Sequence, residues 1–220
     1  MTVEALGPFK FYQSADGHRL TTDSVLLVDF VLEPDNARSF DRVADFGAGT
    51  GAIALLIAAK ERSARFTCFE IDPSLAGLAR RNIEENGLES RVEVAEGDLR
   101  TRCLEYPAGA FSLVVSNPPY VKKGAGRVSP VPERAVARSE QMCPLSDLIE
   151  SAAHLIGARG RAAFVYPARR LDEMLAELGR AGLRALRLRF VYTRGGKEAK
   201  LFMVEAGRAG EMKVEEPVFL

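Results

Sequence analysis

An apolar stretch, Arg42–Phe46, runs without a break into Gly47-Ala48-Gly49-Thr50-Gly51, and the Ala/Leu/Ile-rich segment Thr50–Lys60 follows at once. A short apolar strand belongs inside a parallel sheet. The glycines let the chain turn sharply into a helix and let a ligand approach the backbone. The same alternation then recurs. Arg65–Glu70 reads as a second strand, followed by a helix with Asp72 as its cap, Pro73 at its first position and Asn86-Gly87 at its end. Arg91–Val94 and Phe111–Ser116 are the third and fourth strands, Leu145–Ile156 a helix, and Arg161–Tyr166 the fifth strand. Leu171–Leu178 lies in an amphipathic helix stopped by Gly182. Leu183–Tyr192 and Ala199–Glu205 then alternate as strands around Arg194-Gly195-Gly196, a hairpin signal. Phe9, Phe11 and Tyr12 form a further alternating strand that packs on the body.

Alternating β and α units predict an α/β fold. It is a doubly wound, mostly parallel seven-stranded sheet with an antiparallel C-terminal hairpin. At 220 residues the chain fits one domain over 1–220. Residues 1–40 are an extension expected to pack over a cofactor site. Residues 121–141, rich in glycine, proline and arginine, form a loop long enough to be functional.

Asp45 opens the glycine segment, and Glu70 closes the second strand 19 positions after Gly51. A carboxylate about 20 residues beyond such a loop grips ribose hydroxyls. The spacing of Gly47, Gly49 and Gly51 is G-x-G-x-G, so nothing marks a pyrophosphate site. Loop and Glu70 together fit an adenosine-bearing cofactor without deciding which. Asp98, after the third strand, can accept from an adenine amine or simply cap a helix, and Leu99 or Ile71 can pack on the ring.

Asn117-Pro118-Pro119-Tyr120 follows the fourth strand, at the carboxyl edge where such sheets bind ligands. The two prolines stiffen the turn and remove two backbone donors. The Asn117 side-chain oxygen and the Pro118 carbonyl can then take both hydrogens of an –NH₂ group. That draws the nitrogen lone pair out of conjugation and aims it at a methyl sulfonium. Tyr120 offers a face on which a planar group stacks. No strong base is needed, because the proton leaves after the nitrogen has become positively charged.

With these motifs in this order, DFGAGTG, FEID, EGD and NPPY, the chain resembles the class I, Rossmann-like methyltransferases that modify exocyclic amines. Within them it is similar to the bacterial tRNA1(Val) (adenine-N6)-methyltransferase family. The finer likeness lies in Thr21-Thr22-Asp23-Ser24-Val25-Leu26-Leu27, in Asn117–Pro130 with Glu133-Arg134-Ala135 and Ala137-Arg138, and in the hairpin with Lys197-Glu198-Ala199. Ser139 departs from it, where a histidine is expected. The resemblance implies S-adenosylmethionine as cofactor and the adenosine just 3′ of a tRNA anticodon as target. It also implies that the segment holding Thr22 and Asp23 helps enclose the cofactor. A protein glutamine methyltransferase, an enzyme acting on guanine amines of ribosomal RNA, and a non-catalytic cofactor- or RNA-binding module remain as alternatives.

Charge bears on the RNA reading. Thirty basic residues balance thirty acidic ones, so distribution matters more than sum. Basic residues concentrate in 122–138 and 159–200. Lys122, Lys123, Arg127, Arg134 and Arg138 flank the entrance a base must use and are the candidate RNA contacts, with Arg184, Arg187, Arg189 and Arg194 as the reserve. His154 reads as a surface or packing residue, and His18 as a turn residue. Three scattered cysteines imply no disulfide framework, and no spacing suggests a metal site. No apolar run approaches the roughly 18 residues that span a bilayer, and the N-terminus lacks a signal-peptide pattern. The expectation is a cytoplasmic protein.

Overall fold

The computed structural model describes residues 2–13, 20–33, 40–118, 143–193, 195 and 198–220. The chain opens with a hairpin, β1 (Thr2–Leu6) and β2 (Phe9–Gln13), and then helix α1 (Thr22–Val31). Strand β3 (Arg42–Phe46), helix α2 (Ala52–Lys60), β4 (Arg65–Glu70), α3 (Pro73–Glu84) and β5 (Val92–Glu96) follow. A single turn, α4 (Leu99–Arg102), precedes β6 (Phe111–Ser116). Beyond it come α5 (Leu145–Leu155), β7 (Ile156–Pro167), α6 (Leu171–Arg180), β8 (Arg184–Tyr192) and β9 (Ala199–Gly207). Two short strands, β10 (Lys213–Val214) and β11 (Val218–Phe219), end it.

The expected seven strands are present in the order β8-β9-β7-β6-β3-β4-β5. Strands β3 to β7 run parallel, while β9 lies antiparallel between β7 and β8. Sequence reasoning missed β10 and β11, which pair parallel to β8 and cover its outer edge. Covering an edge in this way leaves fewer unpaired backbone groups for another chain to join.

Period-two alternation splits the strands between two hydrophobic layers. Val43, Leu113, Val115, Ala163 and Val165 face one layer with Leu27, Val28 and Val31 of α1 and Ile53, Ala54 and Ile57 of α2. Ala44, Phe46, Val114, Ala162, Phe164 and Tyr166 face the other with Leu148, Ile149 and Ala152 of α5 and Met174 and Leu178 of α6. The sheet is therefore doubly wound.

The N-terminal hairpin is held by α3 and the turn that follows it. Asn82 accepts from Tyr12 N (2.7 Å) and donates to Tyr12 O (3.1 Å); Asn86 accepts from Lys10 N (3.0 Å) and donates to Lys10 O (2.8 Å). Two asparagines one helical turn apart thus satisfy alternate backbone groups of β2, as a neighbouring strand would. Phe11 is buried, and Arg81 lies 4.1 Å from the centre of the Tyr12 ring.

Part of the basic segment 159–200 is turned inward, whereas Arg159, Arg169, Arg180, Arg184 and Lys200 are exposed. Arg187 is buried and reaches Glu33 (2.6 Å), Glu205 (3.4 Å) and Glu215 (2.6 Å), and Arg189 also pairs with Glu33 and Glu215. Both guanidinium groups lie near the Phe30 ring. Arg161 pairs with Glu205, Arg170 with Glu173 and Arg180 with Glu177. Arg187 and Arg189, reserve candidates for RNA contact, instead join the sheet edge to α1 and to the C-terminal tail. Arg194 lies outside the described residues, and Arg184 is exposed at the start of β8.

Candidate active site

Strand register gathers the candidate residues. Phe46 of β3 stands opposite Ser116 of β6 and Phe69 of β4, and Glu70 stands opposite Glu96 of β5. One residue beyond these partners lie Gly47 and Asn117; Asp98 lies two beyond Glu96. All therefore sit at the carboxyl edge of four adjacent parallel strands, where open α/β sheets bind ligands. The buried Ser116 hydroxyl donates to Phe46 O (2.8 Å) and ties the ends of β3 and β6 together.

The glycine turn is built by its neighbours. Gly47, Gly49 and Gly51 all have positive φ (67°, 58° and 83°), which side chains rarely adopt. Gly47 N and Ala48 N both donate to Phe69 O, at 2.9 and 3.0 Å. Gly49 N donates to Glu70 Oε2 (2.7 Å), and Asp72 N donates to Glu70 Oε1 (2.8 Å). Glu70 is thus a structural clamp on the loop as well as a candidate ligand. An ionised carboxylate offers about four lone-pair directions, so each oxygen keeps capacity for a further donor. Helix α2 starts at Ala52, not Thr50 as expected, because Gly51 in its left-handed conformation is the cap.

Asp45 is buried behind the loop. Its Oδ2 accepts from Ala54 N (3.2 Å), and its Oδ1 is a buried oxygen without a partner among the described residues. Desolvation by burial pushes its pKa up from 3.8 to about 7; the Ala54 N–H opposes the shift and the charge of Glu70 adds to it.

Asp98 takes the capping role: its Oδ1 accepts from Arg100 N (2.9 Å) at the start of α4. The hydrogen bonds of the Arg100 side chain hold its carboxyl below the usual range. Leu99 is buried in the core layer with Phe69, whereas Ile71 keeps part of its surface exposed. Of the two apolar candidates for packing on a ring, Ile71 is the more accessible. His154 is half-buried and its Nε2–H donates to Tyr106 O (3.1 Å), a structural role.

Asn117 is half-exposed, and its side-chain amide is anchored. Nδ2 donates to Ser24 Oγ (2.9 Å) and Thr21 Oγ1 (3.2 Å) in the first turn of α1. Thr22 and Asp23 occupy the same turn, but Thr21 and Ser24 are the residues that reach Asn117. Sequence reasoning singled out this segment without finding the contact, and the only hint was its run of hydroxyls. Pro119, Tyr120, Lys122, Lys123, Arg127, Arg134 and Arg138 lie outside the described residues, as does His18.

A glycine turn after β3, a carboxylate at the end of its neighbour β4 and an Asn-Pro turn after its other neighbour β6 form the layout of a methyltransferase. The family model described as the methyltransferase small domain matches residues 18–143, more than half of the chain. The tRNA1(Val) (adenine(37)-N6)-methyltransferase of Porphyromonas gingivalis is 35% identical over 199 residues, covering 90% of this chain and 77% of that protein. Its counterpart from Aeromonas hydrophila is 35% identical over 191 residues, 86% of this chain and 77% of that one. The chain belongs to the methyltransferase family that these proteins represent. Among solved structures, a predicted O-methyltransferase from Agrobacterium tumefaciens superposes with a TM-score of 0.66. It is 25% identical and covers 90% of this chain and 86% of its own. No helix among the described residues is long and apolar enough to cross a membrane.

Proposed function

We propose that the protein transfers a methyl group from S-adenosylmethionine to the exocyclic nitrogen N6 of an adenine in tRNA, in the cytoplasm. The observation that carries this reading is the position of Asn117. It stands one residue past the paired ends of β3 and β6, beside the glycine turn, in a family whose named relatives methylate a tRNA adenine.

The residues present fit that cofactor. A Cβ added at Gly47 or Gly49 would meet nothing within 4 Å, so the outer side of the loop is open to a close-lying ligand. Behind it lies the Oδ1 of Asp45, which has no partner among the described residues. In this proposal Asp45, Gly47, Gly49 and Gly51, with Thr22 and Asp23 of α1, surround the methionine end. Glu70 accepts from the ribose hydroxyls, Ile71 packs on the adenine, and Asp98 beside Leu99 accepts from its amine. Once bound, the cofactor supplies an electrophilic methyl group on a sulfonium. Asn117 Oδ1 and the Pro118 carbonyl accept the two amine hydrogens, so the nitrogen lone pair points out of the ring plane. Tyr120 stacks on the substrate base, and the proton leaves after transfer. The clamp strengthens as the nitrogen becomes tetrahedral, so it acts mainly on the chemical step.

Incubation with methyl-labelled S-adenosylmethionine and total tRNA, ribosomal RNA or protein tests the reading. Label is expected in N6-methyladenosine of tRNA, and label in protein glutamine or N2-methylguanosine overturns it. Asn117→Ala is expected to abolish turnover while leaving cofactor affinity nearly unchanged. Turnover near the wild-type rate removes Asn117 from the catalytic role.

A further inference from the structure

Thr21 and Ser24 meet the Asn117 amide as a pair, and the pair constrains which end of the amide faces it. Their hydroxyls are 3.4 Å apart and share one hydrogen bond. A hydroxyl has a single hydrogen, so whichever of the two donates to the other can meet Asn117 only as an acceptor. A carboxamide oxygen turned toward that hydroxyl would bring two acceptors together. At least one contact must therefore be a donation from Nδ2, at 2.9 Å to Ser24 or 3.2 Å to Thr21. Thr21 Oγ1 is further committed as an acceptor, because it caps α1 by taking Ser24 N at 3.4 Å. Ser24 is buried in this turn, which limits how far the pair can rearrange.

We propose that Thr21 and Ser24 are positioning residues that fix the Asn117 carboxamide with Nδ2 toward α1 and Oδ1 at the opposite end, the orientation an amine acceptor requires. This rests on the assignment of Asn117 to the substrate amine. A carboxamide is nearly symmetric in shape and can rotate by half a turn within the same volume. In the rotated state Nδ2–H would point at the N–H of the substrate, two donors face to face, and the clamp would not close. The hydroxyl pair thus sets the amine specificity of Asn117 by orienting it, not by contacting the substrate itself. It also places α1, which precedes the glycine loop in the chain, directly against the reacting end of the site.

Because Thr21 also caps α1, Thr21→Val can unwind the helix, so Ser24→Ala is the primary variant and Thr21→Ser the conservative control. In Ser24→Ala, kcat on tRNA should fall roughly tenfold or more, the scale of a misoriented catalytic group. KM for tRNA, cofactor affinity and melting temperature should be unchanged, and Thr21→Ser should behave as wild type. In an Asn117→Asp background, where no amide remains to be oriented, Ser24→Ala should cause no additional loss of rate. A direct readout that needs no activity is solvent exchange of the Asn117 side-chain NH₂ in protein labelled with ¹⁵N-asparagine. Exchange should be slow in the wild type and fast in Ser24→Ala. Wild-type kcat in Ser24→Ala, or unprotected Nδ2 hydrogens in the wild type, overturns the positioning role. Protected hydrogens in a wild-type protein that methylates no RNA would leave the orientation standing and sink the assignment of function.

Discussion

Glu70 and Gly49 are joined by a hydrogen bond of 2.7 Å from the loop amide to the carboxylate, and Asp72 N occupies the other carboxylate oxygen at 2.8 Å. The side chain expected to grip a ribose therefore also shapes the glycine turn proposed to hold the cofactor. Glu70→Ala should weaken S-adenosylmethionine by about 1.5–3 kcal/mol, the range for hydrogen bonds to charged groups. It should also loosen the loop. Calorimetry and hydrogen exchange at Gly49 would show both effects, and unchanged affinity would exclude Glu70 as a ligand. NAD should not bind the wild type, and NAD binding as tight as the methyl donor would overturn the cofactor assignment.

Asp45 makes stability depend on pH with a definite sign. Burial raises its pKa from 3.8 to about 7, so between these values the folded protein holds a proton that the unfolded chain releases. The associated stability is complete below about pH 4 and is lost as pH rises through about 7. The full effect is roughly 4 kcal/mol as an upper bound, at about 1.4 kcal/mol per unit. Asp45→Asn keeps the shape and removes the proton. Urea denaturation of both proteins at pH 5 and pH 8 should show the wild type losing stability relative to the variant. An unchanged difference between the two pH values would mean that Asp45 does not titrate in this window.

Asn82 links the hairpin to the glycine turn, since its Nδ2 donates to Thr50 O (2.9 Å) as well as to Tyr12 O. Asn82→Ala removes this partner from the buried Thr50 O and from the part-buried Tyr12 N and O. Each unsatisfied group costs about 1–3 kcal/mol. The variant should be less stable in urea, and the amides of Lys10 and Tyr12 should exchange faster with solvent. Unaltered exchange at Tyr12 would show that the hairpin is held by packing of Phe11 alone.

Much of this architecture was legible because period and punctuation agree. The bounds of β3, β4 and β6 are those expected, each an apolar run closed by a turn or by a site residue. Helix α5 ends one residue early, because Ile156 already pairs with Phe111 as the start of β7. Strand β5 extends to Glu96, on the outer side of the sheet, where alternation with charged residues masked its length. Helix α1 was not read as a helix, since half of its ten residues are buried and its apolar run shows little helical period. In the site, Glu70 and Asn117 stood out by spacing and motif. Gly49 and the segment Thr21–Leu27 stood out too, but the contacts of Gly49 with Glu70 and of Thr21 and Ser24 with Asn117 did not, because hydrogen bonds across 21, 96 and 93 positions leave no local pattern. The same blindness applies to Arg187, whose partner Glu33 lies 154 positions away.

That ion-pair cluster decides where RNA contacts are to be sought. Arg187 and Arg189 are committed to Glu33 and Glu215, so their charges are compensated within the fold. Replacing Arg187 with Gln should leave carboxylates at Glu205 and Glu215 poorly paired and cost about 3–5 kcal/mol of stability. The salt dependence of tRNA binding should not change. The cations of the sequence segment 122–138 are the alternative, and a base leaving a stacked anticodon loop needs compensation of a few kcal/mol. Joint neutralisation of Lys122, Lys123 and Arg127 should weaken tRNA binding. It should lower the slope of log K against log salt by about 2–3, at 0.7–0.9 per phosphate contact. Cofactor affinity should be untouched. Arg134 and Arg138 belong to the same segment of sequence and should add to the effect. An unchanged slope in the triple variant, measured by fluorescence titration over a range of salt, would remove this segment as the RNA-docking element.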